Sequence, residues 1–192
     1  MKFFDFSRKS RLFLVFFCLQ VSSLWAFQSV YLSPKEALRQ VFHASKVVVS
    51  EKRVLDAEQA AWIVKKSGLK PPQSEWTFYL GKTDEKIDGY ALIDHQVGKT
   101  EPITFMTVIN PDGRVRDVMI LVYRETHGSE VRHKNFLRQF YGKEAHHPVR
   151  LGQDIDVVSG ATLSSRALAV GVKRALLLWE IFYGKHGSIT AR

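Results

Sequence analysis

The sequence predicts an α/β protein of the α+β type, a single domain in which an antiparallel sheet packs with helices, placed after an N-terminal signal or anchor. Three observations carry this expectation. Apolar runs of strand length recur in hairpin-spaced pairs between residues 76 and 123. Capping residues precede apolar segments of helical period on either side of them. The 192 residues are 45% hydrophobic and 24% charged, enough for one core and too little charge for disorder.

Residues 1–26 read as a leader. Lys2, Arg8, Lys9 and Arg11 form a positive n-region, Leu12 to Trp25 is apolar, and Ala26 closes the stretch, the layout of a secretory signal peptide. The apolar run is short for a membrane span, which needs about 20 residues. Continuation through Phe27, Val30 and Leu32 nearly reaches that length, so cleavage after Ala26 and retention as a membrane anchor both stay open. Either way the basic end remains inside and the domain faces out, an exported chain in the periplasm or on the outer face of the cytoplasmic membrane. Cys18, the only cysteine, lies in the leader, which excludes disulfides, iron–sulfur clusters, thiolate zinc sites and cysteine nucleophiles from the domain. No C-x-x-C-H haem attachment is present. The formal charge of +9 falls to +6 once the four bases and one acid of residues 1–26 are set aside, a modest excess that suits anionic headgroups, an acidic redox partner or a bound phosphate. Nucleic acid is not expected as a partner.

Residues 27–88 form the N-terminal helical and strand part of the domain. Ser33-Pro34-Lys35-Glu36 supplies an N-cap, a first-turn proline and a capping-box acid, followed by Ala37, Leu38, Val41 and Phe42 at helical spacing. Lys46 to Val49, with Val54 and Leu55, is extended. Asp56 then caps a second helix that turns Ala60, Ile63 and Val64 inward and ends at Lys65, Lys66 and Gly68. Lys70-Pro71-Pro72 breaks the pattern.

Residues 89–185 form the core of the domain and 186–192 a tail. Trp76 to Leu80 and Gly89 to Ile93 pair as strands around a charged turn. Ile103 to Ile109 and Val115 to Tyr123 flank Asn110-Pro111-Asp112-Gly113, whose proline and glycine suit a type I turn followed by a left-handed residue. Ser129 to Phe140 has helical spacing through Val131, Phe136, Leu137 and Phe140, and Gly142 stops it. Ile155 to Val158 reads as a strand end. From Leu163 a last helix carries Leu168, Val172, Ala175, Leu176, Trp179 and Phe182 as one apolar stripe, a core face.

The junction before that helix, Asp156 to Ser165 (DVVSGATLSS), is the most informative stretch. Gly160 can take a tight turn, which puts Thr162 at a helix start. Hydroxyls from Ser159, Thr162, Ser164 and Ser165 crowd the backbone N–H groups that lack intrahelical partners, where the helix dipole favours an anion such as a phosphate. Arg166, one turn on, is positioned to add a charge-assisted contact. On spacing alone the same residues also describe an ordinary capped helix.

The full string resembles the flavinylation motif of the FMN-binding domain family: Asp, two variable residues, Ser or Thr, then Gly-Ala-Thr, met here by Asp156, Ser159, Gly160, Ala161 and Thr162. That family of covalently flavinylated exported proteins includes the C subunit of the sodium-translocating NADH:quinone reductase and the G subunit of the Rnf complex. The resemblance implies that a flavin transferase takes FMN from FAD and joins its phosphate to the hydroxyl of Thr162. Asp156 would belong to the recognised motif, Ser159, Gly160 and Ala161 would shape the turn, and Leu163 and Ser164 would continue the site. The segment from Gly89 to Lys143 also resembles the part of the family's domain that precedes the motif. Within it Glu125, Thr126 and Gly128 match a Glu-Thr-Pro-Gly stretch that lies beside the flavin in the reductase subunits, with His127 in place of the proline. A Glu-Thr pair at a strand end is also plain turn chemistry. Gly98 and Lys99 are weaker candidates, and His127 is positioned to hydrogen-bond a flavin ring.

No metal site is expected. His146 and His147 are adjacent, which points their rings apart unless the loop bends, and no carboxylate cluster supports them. The absence of a G-x-S-x-G elbow around Ser159 and of paired carboxylates keeps hydrolase chemistry low. The combined expectation is a membrane-associated or periplasmic electron-transfer flavoprotein with covalent FMN, served by a flavin transferase and an extracytoplasmic redox partner. A small flavin reductase acting directly on a substrate, or a non-redox binding module of the same fold, is the alternative.

Overall fold

The computed structural model describes residues 29–184. The leader with Cys18 and the tail at 186–192 lie outside the described residues.

Local chemistry starts the first two helices where the sequence places them. In α1 (Pro34–Val41) the Ser33 hydroxyl accepts the Glu36 N–H at 3.3 Å and the Glu36 carboxylate accepts the Ser33 N–H at 2.9 Å. In α2 (Ala57–Ser67) Asp56 and Gln59 make the same reciprocal pair at 2.8 and 3.2 Å, and Gly68 ends the helix in the left-handed region. Ile63 is buried as expected, but Val64 is exposed, because the buried face of α2 runs from Ile63 to Ser67 and leaves Val64 on its flank.

The six strands are β1 (Ser29–Val30), β2 (Val47–Val54), β3 (Glu75–Thr83), β4 (Lys86–Val97), β5 (Pro102–Ile109) and β6 (Val115–Tyr123). They form one antiparallel sheet in the order β1-β6-β5-β4-β3-β2, which bears out the α+β class. The β3–β4 strands run further than their apolar cores, leaving only Asp84 and Glu85 as the charged turn. At the β5–β6 turn the Gly113 N–H donates to the Asn110 carbonyl at 3.0 Å with Gly113 at φ +89°, the conformation its sequence predicts.

The sheet carries two unequal cores. One face buries Phe78, Leu80, Leu92, Ile103 and Phe105 against the long helix α4 (Thr162–Phe182). The other buries Ala91, Met106, Val108 and Leu121 under Ala37 and Phe42 of the α1 segment. β5 therefore reads as a near-continuous apolar run, since both of its faces are covered. Helix α4 is buried well beyond the expected stripe, with Leu177, Leu178 and Ile181 also inside. Its Arg174 donates two hydrogen bonds, at 2.8 and 2.6 Å, to the Asp94 carboxylate of β4, a pair only 7% exposed on each side.

Two expectations are corrected. Ser129 to Phe140 is not one helix but a 3-10 turn (Ser129–Arg132), a short α3 (Lys134–Leu137) and a second 3-10 turn (Arg138–Phe140). His133 takes an extended conformation between them, and the break still buries Val131, Phe136 and Phe140 on the sheet. Ile155 to Val158 joins no strand of the sheet: Ile155 makes an isolated bridge with Leu151 and inserts into the core, leaving Val157 exposed. Among the described residues no helix is long and apolar enough to cross a membrane.

Candidate functional site

Three segments converge at the N-terminal end of α4. The Ala161 N–H donates to the Val158 carbonyl at 3.0 Å, closing a turn in which Gly160 sits at φ +77°. This geometry delivers Thr162 as the first residue of α4, with its side chain exposed. Ala161 occupies the N-cap position, where no side chain caps the helix, and the N–H groups of Thr162, Leu163 and Ser164 find no partner among the described residues. The nearby hydroxyls do not cap it. Ser164 is buried and bonds to Tyr123 Oη at 2.9 Å, while Ser165 Oγ accepts the Val158 N–H at 3.5 Å.

The facing wall is the end of β6 and the turn after it. Tyr123 Oη donates to the His127 carbonyl at 2.6 Å, so the Ser164 hydroxyl is left to donate to Tyr123, and β6 is tied to α4 through this relay. Burial pushes the Tyr123 hydroxyl up. Gly128, at φ +83°, makes the approach possible: a Cβ there would meet Tyr123 Oη at 2.9 Å and Ser164 Oγ at 3.1 Å.

Glu125 builds the third segment. Its carboxylate accepts the backbone N–H of Lys99, that of Thr100 at 2.7 Å, that of Glu101 at 3.1 Å and the Thr100 hydroxyl at 3.0 Å. Desolvation raises its pKa, but these donors outweigh it and hold the carboxyl below its ordinary value. Glu125 thus spends its acceptors on the loop between β4 and β5, in which the Gly98 N–H donates to the Glu101 carbonyl at 3.0 Å. The Lys99 ammonium has no carboxylate within ion-pair distance among the described residues.

Between these walls lies a cleft of about 620 Å³ lined by Lys99, Thr100, Glu125, Thr126, His127 and Gly160 to Ser164. That volume is within the ordinary range of small-molecule sites, about 300–1,000 Å³. Thr126 Oγ1 lies 2.8 Å from His127 Nδ1 at its rim. Open backbone donors at a helix start, an ammonium and an exposed hydroxyl fit the phosphate of FMN, and the cleft beside them can accept a planar ring. Thr162, Leu163, Ser164, Gly160, Ala161, Glu125, Thr126 and His127 are therefore gathered in one place, and Gly128 stands directly behind them.

Other candidates fall elsewhere. Asp156 and Ser159 are exposed on the approach to the turn, where the Asp156 N–H donates to Gln139 Oε1 at 2.7 Å, and neither lines the cleft. Arg166 does not line it either: one turn along α4 it borders the neighbouring groove beside residues 146–153. His146 and His147 bend together, with ring centroids 4.1 Å apart, contrary to the expected divergence. The loop turns there because the Glu144 N–H donates to His147 Nδ1 at 3.0 Å. Among the described residues no group of three or more His, Cys, Asp or Glu could hold a metal ion. Thr100 is the cleft-lining residue that sequence reading did not single out, whereas Tyr123 opens the stretch to Gly128 that the sequence offers as a second wall.

Residues 98–177 match the family model of the FMN-binding domain. Among solved structures, the crystal structure of Shewanella oneidensis NqrC aligns with a TM-score of 0.50 at 14% identity, over 83% of this chain and 91% of that one. The crystal structure of the C subunit of the Na(+)-translocating NADH-quinone reductase from Parabacteroides distasonis aligns with a TM-score of 0.49 at 16% identity, over 81% and 87%. The Shewanella likeness is one of fold. No curated protein matches in sequence.

Proposed function

Because residues 98–177 belong to the FMN-binding domain family, we propose that this chain is an extracytoplasmic electron-transfer flavoprotein carrying FMN bonded through its phosphate to Thr162. The observation that carries this reading is the exposed Thr162 hydroxyl at the uncapped start of α4, on the edge of the cleft, inside an intact Asp-x-x-Ser-Gly-Ala-Thr string. FMN supplies the electron-carrying ring; the protein supplies attachment, position and the exclusion of competing reactions.

Each residue of the cleft has a distinct task in this reading. The Thr162 hydroxyl oxygen would hold FMN as a phosphate ester, formed when the pyrophosphate bond of FAD breaks and AMP leaves with the hydroxyl proton, and the N–H groups of Thr162, Leu163 and Ser164 with the Lys99 ammonium would bind the remaining phosphate charge. Glu125 fixes the loop that carries Lys99, so it positions the site rather than touching the cofactor through its carboxylate. Thr126 and His127 stand at the rim as hydrogen-bonding groups for a ring. A flavin transferase is required as a partner for the attachment, and a membrane or extracytoplasmic redox protein for the electron exchange. The leader at 1–26 supports the outward location.

Co-expression of the full chain with a flavin transferase tests the proposal. The expected result is a fluorescent band that survives denaturation and a mass increase equal to FMN minus water, both lost in Thr162→Val. A colourless, unmodified product from an active transferase overturns it. Stopped-flow reoxidation of the loaded protein separates a carrier, which reacts fastest with a protein partner, from a small flavin reductase.

A further inference from the structure

Beyond the cleft at Thr162, a groove of about 490 Å³ lies between α2, α4 and residues 146–153. Lys66, Arg150, Arg166 and Lys173 line it, and no aspartate or glutamate does. The first three are exposed, and none has an ion-pair partner among the described residues. Exposed cations without an ion pair occur elsewhere among the described residues too, Lys35, Arg39 and Lys134 for example, but here three of them line one groove.

The floor is the more telling part. Lys173 is only 7% exposed, and its ammonium donates to the carbonyls of Ala145 at 2.7 Å and His147 at 2.6 Å, neutral partners that leave its charge uncompensated. Desolvation lowers its pKa; Asp154 works against this, whereas Arg150 and Lys66 add to the lowering, which places those two cations close enough to be felt. Asp154 is already committed to the Lys143 ammonium at 2.9 Å and to the N–H groups of Val149 and Arg150. Leu69, Leu151 and Val170 complete the lining with apolar surface. The adjoining hollow, which shares Lys66 and His146, is lined instead by Asp112, Glu144 and Glu180, so the concentration of unpaired positive charge is confined to one side.

We propose that this groove is a binding site for a phosphate ester, with the phosphate among Lys66, Arg150 and Arg166 over Lys173 and the carbon part on the apolar lining. Two arginine forks and a lysine suit a phosphate group, and the volume exceeds what an inorganic ion fills. The ester has two possible sources, a soluble metabolite or the headgroup of an anionic phospholipid.

Calorimetric titration of the full chain with glycerol 3-phosphate, and its flotation with phosphatidylglycerol against phosphatidylcholine vesicles, test the site. The expected result is binding in at least one arm, weakened about tenfold in Lys66→Gln/Arg150→Gln/Arg166→Gln and changed less than about twofold in the charge-matched control Lys46→Gln/Lys52→Gln/Lys134→Gln. The single exposed variant Arg166→Gln gives the same direction should the triple variant not fold. Binding of the soluble ester assigns a metabolite-sized ligand; selective flotation with phosphatidylglycerol alone assigns a lipid headgroup. No binding in either arm, or an equal loss in the control, overturns the proposal.

Discussion

The starts of α1 and α2 are capped by side chains, whereas the start of α4 is not. At Ser33 and Asp56 a side chain satisfies a first-turn N–H and receives the reciprocal bond from Glu36 or Gln59. At Thr162 nothing does, although serines and threonine are plentiful nearby. A short surface helix needs its cap, because little tertiary packing holds it. Helix α4 is buried along most of its 21 residues and is pinned by Arg174 and Asp94, so it tolerates open donors at its N-terminus. Those donors are then free for a ligand, which makes the uncapped end the informative one.

The largest effect that sharpens this contrast is expected from Asp94→Ala, which leaves the Arg174 guanidinium buried without its partner. It should destabilise the protein by about 3–5 kcal/mol in urea unfolding, whereas Asp94→Leu/Arg174→Met should recover most of the loss. A small effect in the single variant would mean that packing alone secures α4.

A direct comparison of the caps comes next. Ser33→Ala and Asp56→Ala should each cost about 1 kcal/mol, while Ser159→Ala, in the segment that enters α4, should cost less than about 0.5 kcal/mol. Equal losses at all three would mean that α4 is capped in solution and that its donors are not available.

The smallest effect concerns Glu125. Its folded pKa is lowered, so its contribution to stability is complete above its unfolded value near 4.5 and is lost as pH falls through the lower folded value. Glu125→Gln should therefore flatten the acid limb of a stability profile below about pH 4.5, with a modest shift because the group is only partly buried. Amide exchange at Lys99 to Glu101 should quicken in the same variant at neutral pH. An unchanged profile and unchanged exchange would detach the loop from Glu125.

How much of this was legible beforehand follows the range of the interactions. The capping boxes of α1 and α2 and the Asn110-Pro111-Asp112-Gly113 turn act over a few residues, and they appear in the structure as their spacing predicts. The helical spacing of Ser129 to Phe140 was misleading because burial of Val131, Phe136 and Phe140 against the sheet is achieved by short turns around an extended His133. Ile155 has a strand-like neighbourhood but fills the core from a loop. Arg166 lies one turn beyond Thr162 on the same helix, yet it lines the groove against residues 146–153 and not the cleft.

From its sequence alone this chain determined an antiparallel sheet with helices and a threonine at a glycine turn entering the last helix, because dihedral preference, capping and apolar period are local properties of the chain. Only the tertiary structure decided that this helix start stays uncapped, that Glu125 is used to hold the loop of Lys99, and that Lys173 lies beneath unpaired cations. Each of these depends on which distant groups reach a given donor or acceptor first, a competition set by packing across the whole domain.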